Sequence, residues 1–127
     1  MTTSVCVRTL IGHTGYVLSL KFLADSGHLV SASWDKLIKV WDVDTGVCKR
    51  TLEGHGLPVR ALATLNDGRL ASGSYDKTIK VWNVQTGECV ATMTGHNDYV
   101  ASLARTEEGY LASGSYDKTV RIWNTVN

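Results

Sequence analysis

Apolar and polar residues alternate along short stretches of this chain. In Pro58-Val59-Arg60-Ala61-Leu62-Ala63, residues Val59, Ala61 and Ala63 fall on one face and Arg60 and Leu62 on the other, the period of two that marks a β-strand. Asn66-Asp67-Gly68 reads as a turn whose glycine takes positive φ, and Leu70-Ala71-Ser72-Gly73-Ser74 as the strand after it. Beyond the tight turn Tyr75-Asp76-Lys77, the segment from Thr78 to Asn83 alternates again, with Ile79 and Val81 opposite Lys80 and Trp82. Gln85-Thr86-Gly87 then turns the chain into another strand, Glu88 to Met93. Four short strands joined by tight turns predict one antiparallel sheet.

The same frame occurs three times, with Trp41, Trp82 and Trp123 each 41 residues apart. Gly12-His13, Gly54-His55 and Gly95-His96 open the repeats. Ser31-Ala32-Ser33-Trp34-Asp35-Lys36, Ser72-Gly73-Ser74-Tyr75-Asp76-Lys77 and Ser113-Gly114-Ser115-Tyr116-Asp117-Lys118 follow, then Ile38-Lys39-Val40-Trp41, Ile79-Lys80-Val81-Trp82 and Val120-Arg121-Ile122-Trp123. A period of about 40 to 45 residues with four strands is the signature of a β-propeller blade. The expected fold is all-β: four-stranded antiparallel blades in one unit over residues 1–127, with repeats near 12–52, 54–93 and 95–124. Repeat one has a first turn longer by one residue, Ala24-Asp25-Ser26-Gly27-His28, and Trp34 where the others have Tyr75 and Tyr116. Such changes belong to loops and leave the register intact. His28 is read as a solvated turn residue.

From residue 5 to residue 124 this frame resembles the WD-repeat family. The Gly-His, Ser-x-Ser-x-Asp and Ile-Lys-Val-Trp elements occur together at fixed spacing in all three repeats, although only Trp41-Asp42 has the literal Trp-Asp pair and Trp82-Asn83 and Trp123-Asn124 depart from it. The resemblance implies that a loop His, a strand Ser, the turn Asp and the Trp form a hydrogen-bonded chain that fastens each blade. Those sets are His13, Ser31, Asp35, Trp41; His55, Ser72, Asp76, Trp82; and His96, Ser113, Asp117, Trp123. The first serine of each Ser-x-Ser pair is chosen, the second being the alternative.

His, Ser and Asp are also the residue types of a hydrolytic triad, which needs one aligned nucleophile and an oxyanion hole. A set repeated in every copy points to structure instead. No nucleophile elbow, phosphate-binding glycine loop or convergent metal-ligand set is present, so no catalytic residue, cofactor or metal is expected. Cys6, Cys48 and Cys89 occupy one equivalent position per repeat; their odd number and wide spacing argue against disulfides and metal binding. Thirteen basic and twelve acidic residues leave a net charge of +1, too little field to draw nucleic acid or an anionic membrane. With no basic segment leading into an apolar run at the N-terminus and no apolar stretch of about 18 residues, a soluble cytoplasmic protein in a reducing compartment is expected.

Val5-Cys6-Val7-Arg8-Thr9-Leu10 stands before Gly12-His13 as Val47 to Leu52 stands before Gly54-His55. It reads as a fourth strand with no blade before it, whereas the last repeat stops after its third strand. Propellers usually close with about four to eight blades, and three blades would leave two open faces and an unpaired edge. Two joints between blades would bury on the order of 1,300 Å², enough for a specific interface. The expectation is a homodimer, two chains joined head to tail into a six-bladed ring, each giving residues 5–10 as closing strand to its partner. A nine-bladed homotrimer is the alternative, as is a fragment of a longer propeller; Met1 and the whole number of strands favour a complete unit.

Tyr16, Trp34, Tyr75, Tyr99 and Tyr116, with Arg60 nearby, sit at positions that in WD-repeat proteins commonly contact partners, and Tyr, Trp and Arg are enriched at binding hot spots. The expected function is a non-catalytic scaffold for a protein or peptide partner. A purely structural module without a ligand site is the alternative.

Overall fold

The computed structural model describes residues 4–125. Three antiparallel sheets follow the repeats. The first is built from β1 (Val17–Leu23), β2 (His28–Ser33), β3 (Ile38–Asp42) and β4 (Cys48–Leu52), side by side in chain order. The second takes β5 (Val59–Thr64), β6 (Leu70–Ser74), β7 (Ile79–Asn83) and β8 (Glu88–Met93) in the same order. The third has β9 (Val100–Arg105), β10 (Leu111–Ser115) and β11 (Val120–Trp123).

Local chemistry sets these hairpins. Between β2 and β3 the loop is Trp34-Asp35-Lys36, closed by Lys36 N–H donating to the Ser33 carbonyl at 3.2 Å, with Lys36 at φ +75°. A turn ending in one left-handed residue is a favoured three-residue hairpin loop. The extra residue of the first repeat is absorbed between β1 and β2, where Gly27 N–H reaches Leu23 O at 2.9 Å, whereas Gly68 N–H closes the shorter turn on Leu65 O at 3.1 Å. His28 is therefore not a solvated turn residue: it opens β2, pairs with Asp42 across the ladder and is half-buried. The Asp-to-Asn change after tryptophan costs the turn nothing. Asp42 Oδ1 accepts from the N–H groups of Asp44 and Thr45, and Asn83 Oδ1 accepts from those of Gln85 and Thr86.

The sheets meet through their first strands, β1 against β5 and β5 against β9. Val30, Ala32, Ile38, Val40 and Leu52 of the first sheet pack with Val59, Leu62, Leu70 and Trp82 of the second. Ala71, Ile79 and Val81 of the second pack with Val100 and Leu111 of the third, with Leu103 and Trp123 at the margin. The Arg50 guanidinium also crosses the first joint, donating to the carbonyls of Gln85 at 2.6 Å and Thr86 at 3.1 Å. The middle sheet is thus covered on both faces. The outer ones are not: Leu20 and Phe22 are exposed on β1, and on β11 Val120 is 73% and Ile122 59% exposed, where their counterparts Ile79 and Val81 are buried.

Residues 5–10 form no strand within the single chain, since a strand needs a ladder partner and none of the described strands pairs with them. Their local geometry nevertheless repeats that of the fourth strands. Cys6 Sγ lies 3.4 Å from Arg8 O and 3.7 Å from Thr9 Oγ1, and Cys48 Sγ lies 3.4 Å from Arg50 O and 3.7 Å from Thr51 Oγ1. Arg8 and Leu10 lie over the Gly46 turn as Arg50 lies over the Gly87 turn.

The joints make different demands on two equivalent glycines. A Cβ on Gly73 would stand 2.6 Å from Val100 Cγ1, whereas on Gly114 the nearest atom would be Ser102 Cβ at 3.8 Å. Gly73→Ala should therefore lower stability by about 1–3 kcal/mol through overpacking, and Gly114→Ala, at a position that no second sheet covers in the single chain, should stay within about 0.5 kcal/mol when the chain is monomeric. Chemical denaturation of the two variants side by side checks this; equal effects would contradict the packing argument.

Candidate interaction face and the networks beneath it

In each blade the loop histidine bridges the turn aspartate and a strand serine. His13 Nδ1 lies 2.8 Å from Asp35 Oδ2 and Nε2 lies 2.6 Å from Ser31 Oγ. The corresponding distances are 2.8 and 2.7 Å for His55 with Asp76 and Ser72, and 2.7 and 2.6 Å for His96 with Asp117 and Ser113. The indole N–H of Trp41, Trp82 and Trp123 donates to the same serine oxygens at 2.8 Å. With the aspartate ionised, the Nδ1 proton faces it and Nε2 accepts from the hydroxyl, which satisfies every member of the chain. The second serines act elsewhere: Ser33, Ser74 and Ser115 Oγ accept from the N–H groups of Asp35, Asp76 and Asp117.

This order, serine to histidine to aspartate, is that of a hydrolase triad, but its environment is not. Ser72 is fully buried, Ser31 and Ser113 nearly so, and each hydroxyl oxygen already takes an indole proton. No carbonyl can approach such an oxygen. Among the described residues, no group of His, Cys, Asp and Glu is arranged to hold a metal ion, and no helix is long and apolar enough to cross a membrane.

The aspartates tie the loop before each first strand to the β2–β3 type turn. Asp76 accepts from the Gly56 and Thr78 N–H groups and from the Thr78 hydroxyl, besides His55. Burial alone would raise its carboxyl pKa. The His55 and Thr78 hydrogen bonds outweigh burial and hold it well below the usual carboxylate range. Asp117 is lowered chiefly by the Thr119 hydroxyl, against burial and with help from His96. In Asp35 burial again opposes, while His13 and the N–H groups of Leu37 and Thr14 lower the group; here Leu37 stands where the other blades have threonine.

Above these networks lies a run of aromatic rings. The Trp34 and Tyr75 rings meet edge to face at 5.5 Å, Tyr75 stacks on Tyr99 at 4.6 Å, and Tyr99 meets Tyr116 at 5.5 Å. The ladder spans all three blades and crosses both joints. Backbone hydrogen bonds hold each turn against the residues just before its blade's first strand: Trp34 N–H donates to Tyr16 O, Tyr75 N–H to Pro58 O and Tyr116 N–H to Tyr99 O. Tyr75 is half-buried, whereas Trp34 is 49%, Tyr116 57% and Tyr16 79% exposed. Tyr16 makes no ring contact with the ladder among the described residues. Arg60 is not part of it either. It occupies the bulge between Val59 and Ala61, half-buried, outside the ladder pairing of β5 with β6. Three residues that the sequence reading passed over follow the aromatics in the same turns, two positions on: Lys36, Lys77 and Lys118, all exposed and all at φ between +73° and +75°. The three-residue loop was the signal that could have found them.

The profile described as WD domain, G-beta repeat matches residues 4–42, 46–83 and 87–124. The chain belongs to the WD-repeat family. One curated relative, nuclear distribution protein PAC1 of Arthroderma otae, is 48% identical over 62 residues, covering 42% of this chain and 13% of that protein. Among solved structures, that of U3-55K superposes with a TM-score of 0.87 at 33% identity, covering 93% of this chain and 38% of that one. The WD40 beta propeller domain of Doa1 gives 0.87 at 32% identity, with 95% and 41% covered. The chain thus spans about two fifths of those two solved chains and about an eighth of the curated relative. At the end of this WD-repeat chain opposite the rings, a groove between the first two blades is lined by Arg50 and Arg69. Both guanidiniums are spent internally, on the carbonyls of Gln85 and Thr86 and on Asp67 and the carbonyl of Thr125.

Asp76→Ala should destabilise the fold by about 3 kcal/mol at neutral pH, since it leaves buried donors unmet; an unchanged melting temperature would refute the structural role. The pH dependence has a definite sign. The three folded carboxylates titrate below the unfolded value of about 3.9, so the unfolded chain binds more protons in that window. Their contribution is full above about pH 4 and is lost as pH falls through the folded values. Thermal melts should show a steep loss of stability below about pH 4, and Asp76→Asn should make that loss shallower.

Proposed function

We propose that this chain is a non-catalytic scaffold that captures a protein or peptide partner on the face formed by Trp34, Tyr75, Tyr99 and Tyr116, with Tyr16 beside it. The observation that carries this reading is the continuous, partly exposed aromatic ladder across three blades. Tyr and Trp anchor protein interfaces because they offer large rigid contact area together with a polar tip. The buried serine hydroxyls speak against catalysis by the repeated Ser, His and Asp. The His, Ser, Asp and Trp sets serve in this reading to hold the face in shape. Random peptides displayed on phage should enrich on the chain, and Trp34→Ala with Tyr116→Ala, at the exposed ends of the ladder, should abolish the enrichment while far-ultraviolet circular dichroism stays unchanged. Enrichment that survives the double variant would place the contact elsewhere.

The scaffold is completed, in the same proposal, by a second chain. Residues 5–10 carry fourth-strand geometry without a sheet, and β11 is the edge of a three-stranded sheet among the described residues. The paired strands β7 and β8 supply the register: Ile79 opposite Met93, Lys80 opposite Thr92, Val81 opposite Ala91 and Trp82 opposite Cys89. Transferred to the open edge, Val120 faces Leu10, Arg121 faces Thr9, Ile122 faces Arg8 and Trp123 faces Cys6 of the second chain. Lys39 and Lys80 each donate to the threonine opposite, Thr51 and Thr92, at 3.0 Å, and Arg121 is placed to do so for Thr9. Two such junctions make a six-bladed homodimer. Light scattering should give twice the chain mass, and Ile122→Glu should return it to a monomer that still folds, because Ile122 is exposed in the single chain. A folded wild-type monomer would sink the assembly and leave a module that needs further blades from elsewhere.

A further inference from the structure

We infer that the partner held on the aromatic face is an acidic peptide, its carboxylates taken by Lys36, Lys77 and Lys118. This inference rests on the interaction face proposed above and adds the class of partner. Each lysine sits two residues beyond a face aromatic, in the turn after Trp34, Tyr75 or Tyr116. All three occupy the left-handed region, φ +75°, +75° and +73°, which glycine or asparagine adopts at lower cost. Keeping lysine in all three turns at that cost points to use of the side chain.

Charge then decides between two ligands that suit aromatic surfaces. Bare rings would hold a cation, but three exposed ammonium groups in the same turns repel one. Three of the neighbouring carboxylates face inward: Asp35, Asp76 and Asp117 are turned onto histidine and backbone N–H groups with little side-chain exposure, which leaves Asp98, on an exposed bond to Tyr99 N–H, and exposed Glu53 against the three lysines. The lysine side chains make no hydrogen bond or ion pair among the described residues, and all three are exposed to an incoming chain. A single-stranded nucleic acid also favours rings and lysines. Here Tyr75 and Tyr99 are stacked on each other, which closes those faces to a base, and one lysine per blade makes no continuous track for phosphates. An acidic peptide fits better: carboxylates on the lysines and on the hydroxyls of Tyr16 and Tyr116, with a large apolar side chain against Trp34.

The test is to pan a random peptide phage library on the purified chain, then measure a synthetic copy of an enriched peptide by fluorescence anisotropy. Enriched sequences should be rich in Asp and Glu around an aromatic or large aliphatic residue, and their binding should weaken as sodium chloride is raised. The combined Lys36→Asn, Lys77→Asn and Lys118→Asn variant should keep or raise its melting temperature, because asparagine suits the left-handed turn, yet lose affinity about tenfold. Unchanged affinity in that variant overturns the inference. So does enrichment without acidic bias that is lost in Trp34→Ala with Tyr116→Ala, a result under which the interaction face itself stands. No enrichment at all overturns both, and tighter binding of an oligothymidylate than of the acidic peptide overturns the inference in favour of a single-stranded nucleic acid.

Discussion

A turn carboxylate, shared among several donors, holds each blade of this protein together at one end. Asp76 and Asp117 each take a histidine N–H, two backbone N–H groups and a threonine hydroxyl. Asp35, lacking the threonine, takes the histidine and two backbone N–H groups alone. An ionised, mostly buried carboxylate with fewer partners would be costly, so the arrangement tolerates little loosening. It forces the loop before the first strand against the turn between the second and third. From that contact follow the burial of serine and indole below and the adjacency of Tyr16 to Trp34 and of Tyr99 to Tyr116 above. The locks hold each aromatic on its own blade, and the packing of neighbouring blades brings the rings together.

Repetition of sequence does not mean repetition of environment. Ile38, Ile79 and Val120 occupy the same strand position, yet the first two are buried against a following sheet and the third faces outward. Leu62 and Leu20 show the same contrast at the opposite end of the chain. A central blade covers both apolar faces with its neighbours, and a terminal one covers only one. Stability within the single chain therefore concentrates at two joints, and the outermost surfaces carry apolar area of the kind that drives association.

Much of this was legible because it is local. Alternation and turn residues delimit β6 and β8 at Leu70–Ser74 and Glu88–Met93, and the repeat period supplies the number of sheets. Long-range consequences were not legible. The order of the rings from Trp34 to Tyr116 depends on how neighbouring blades pack, which no spacing encodes. Arg60 and Leu62 share a face by simple alternation, but the bulge at Arg60 takes it out of the ladder, while Leu62 joins the first joint and Ala61 and Ala63 are also buried. His28 looked like a turn residue because the extra residue before it cannot be assigned to turn or strand from composition alone. The Arg50 clamp on the next blade has no sequence signature, since an arginine on an outer strand is ordinarily read as solvated.

The ladder and the joints are mechanically one system. Trp34 belongs to the first blade, Tyr75 to the second, and Tyr99 and Tyr116 to the third, so the rings keep their stacking only while both joints keep their angle. The first joint has an apolar cluster and the Arg50 clamp. The equivalent clamp position for the second joint is Ala91, which cannot reach a carbonyl across the gap, but Arg69 of the second blade donates to the Thr125 carbonyl beyond β11 at 2.8 Å, so that joint too combines an apolar cluster with a guanidinium clamp. Motion of the third blade against the second would be felt at the Tyr75 and Tyr99 stack, the face-to-face pair in the ladder and the ring contact that crosses the second joint.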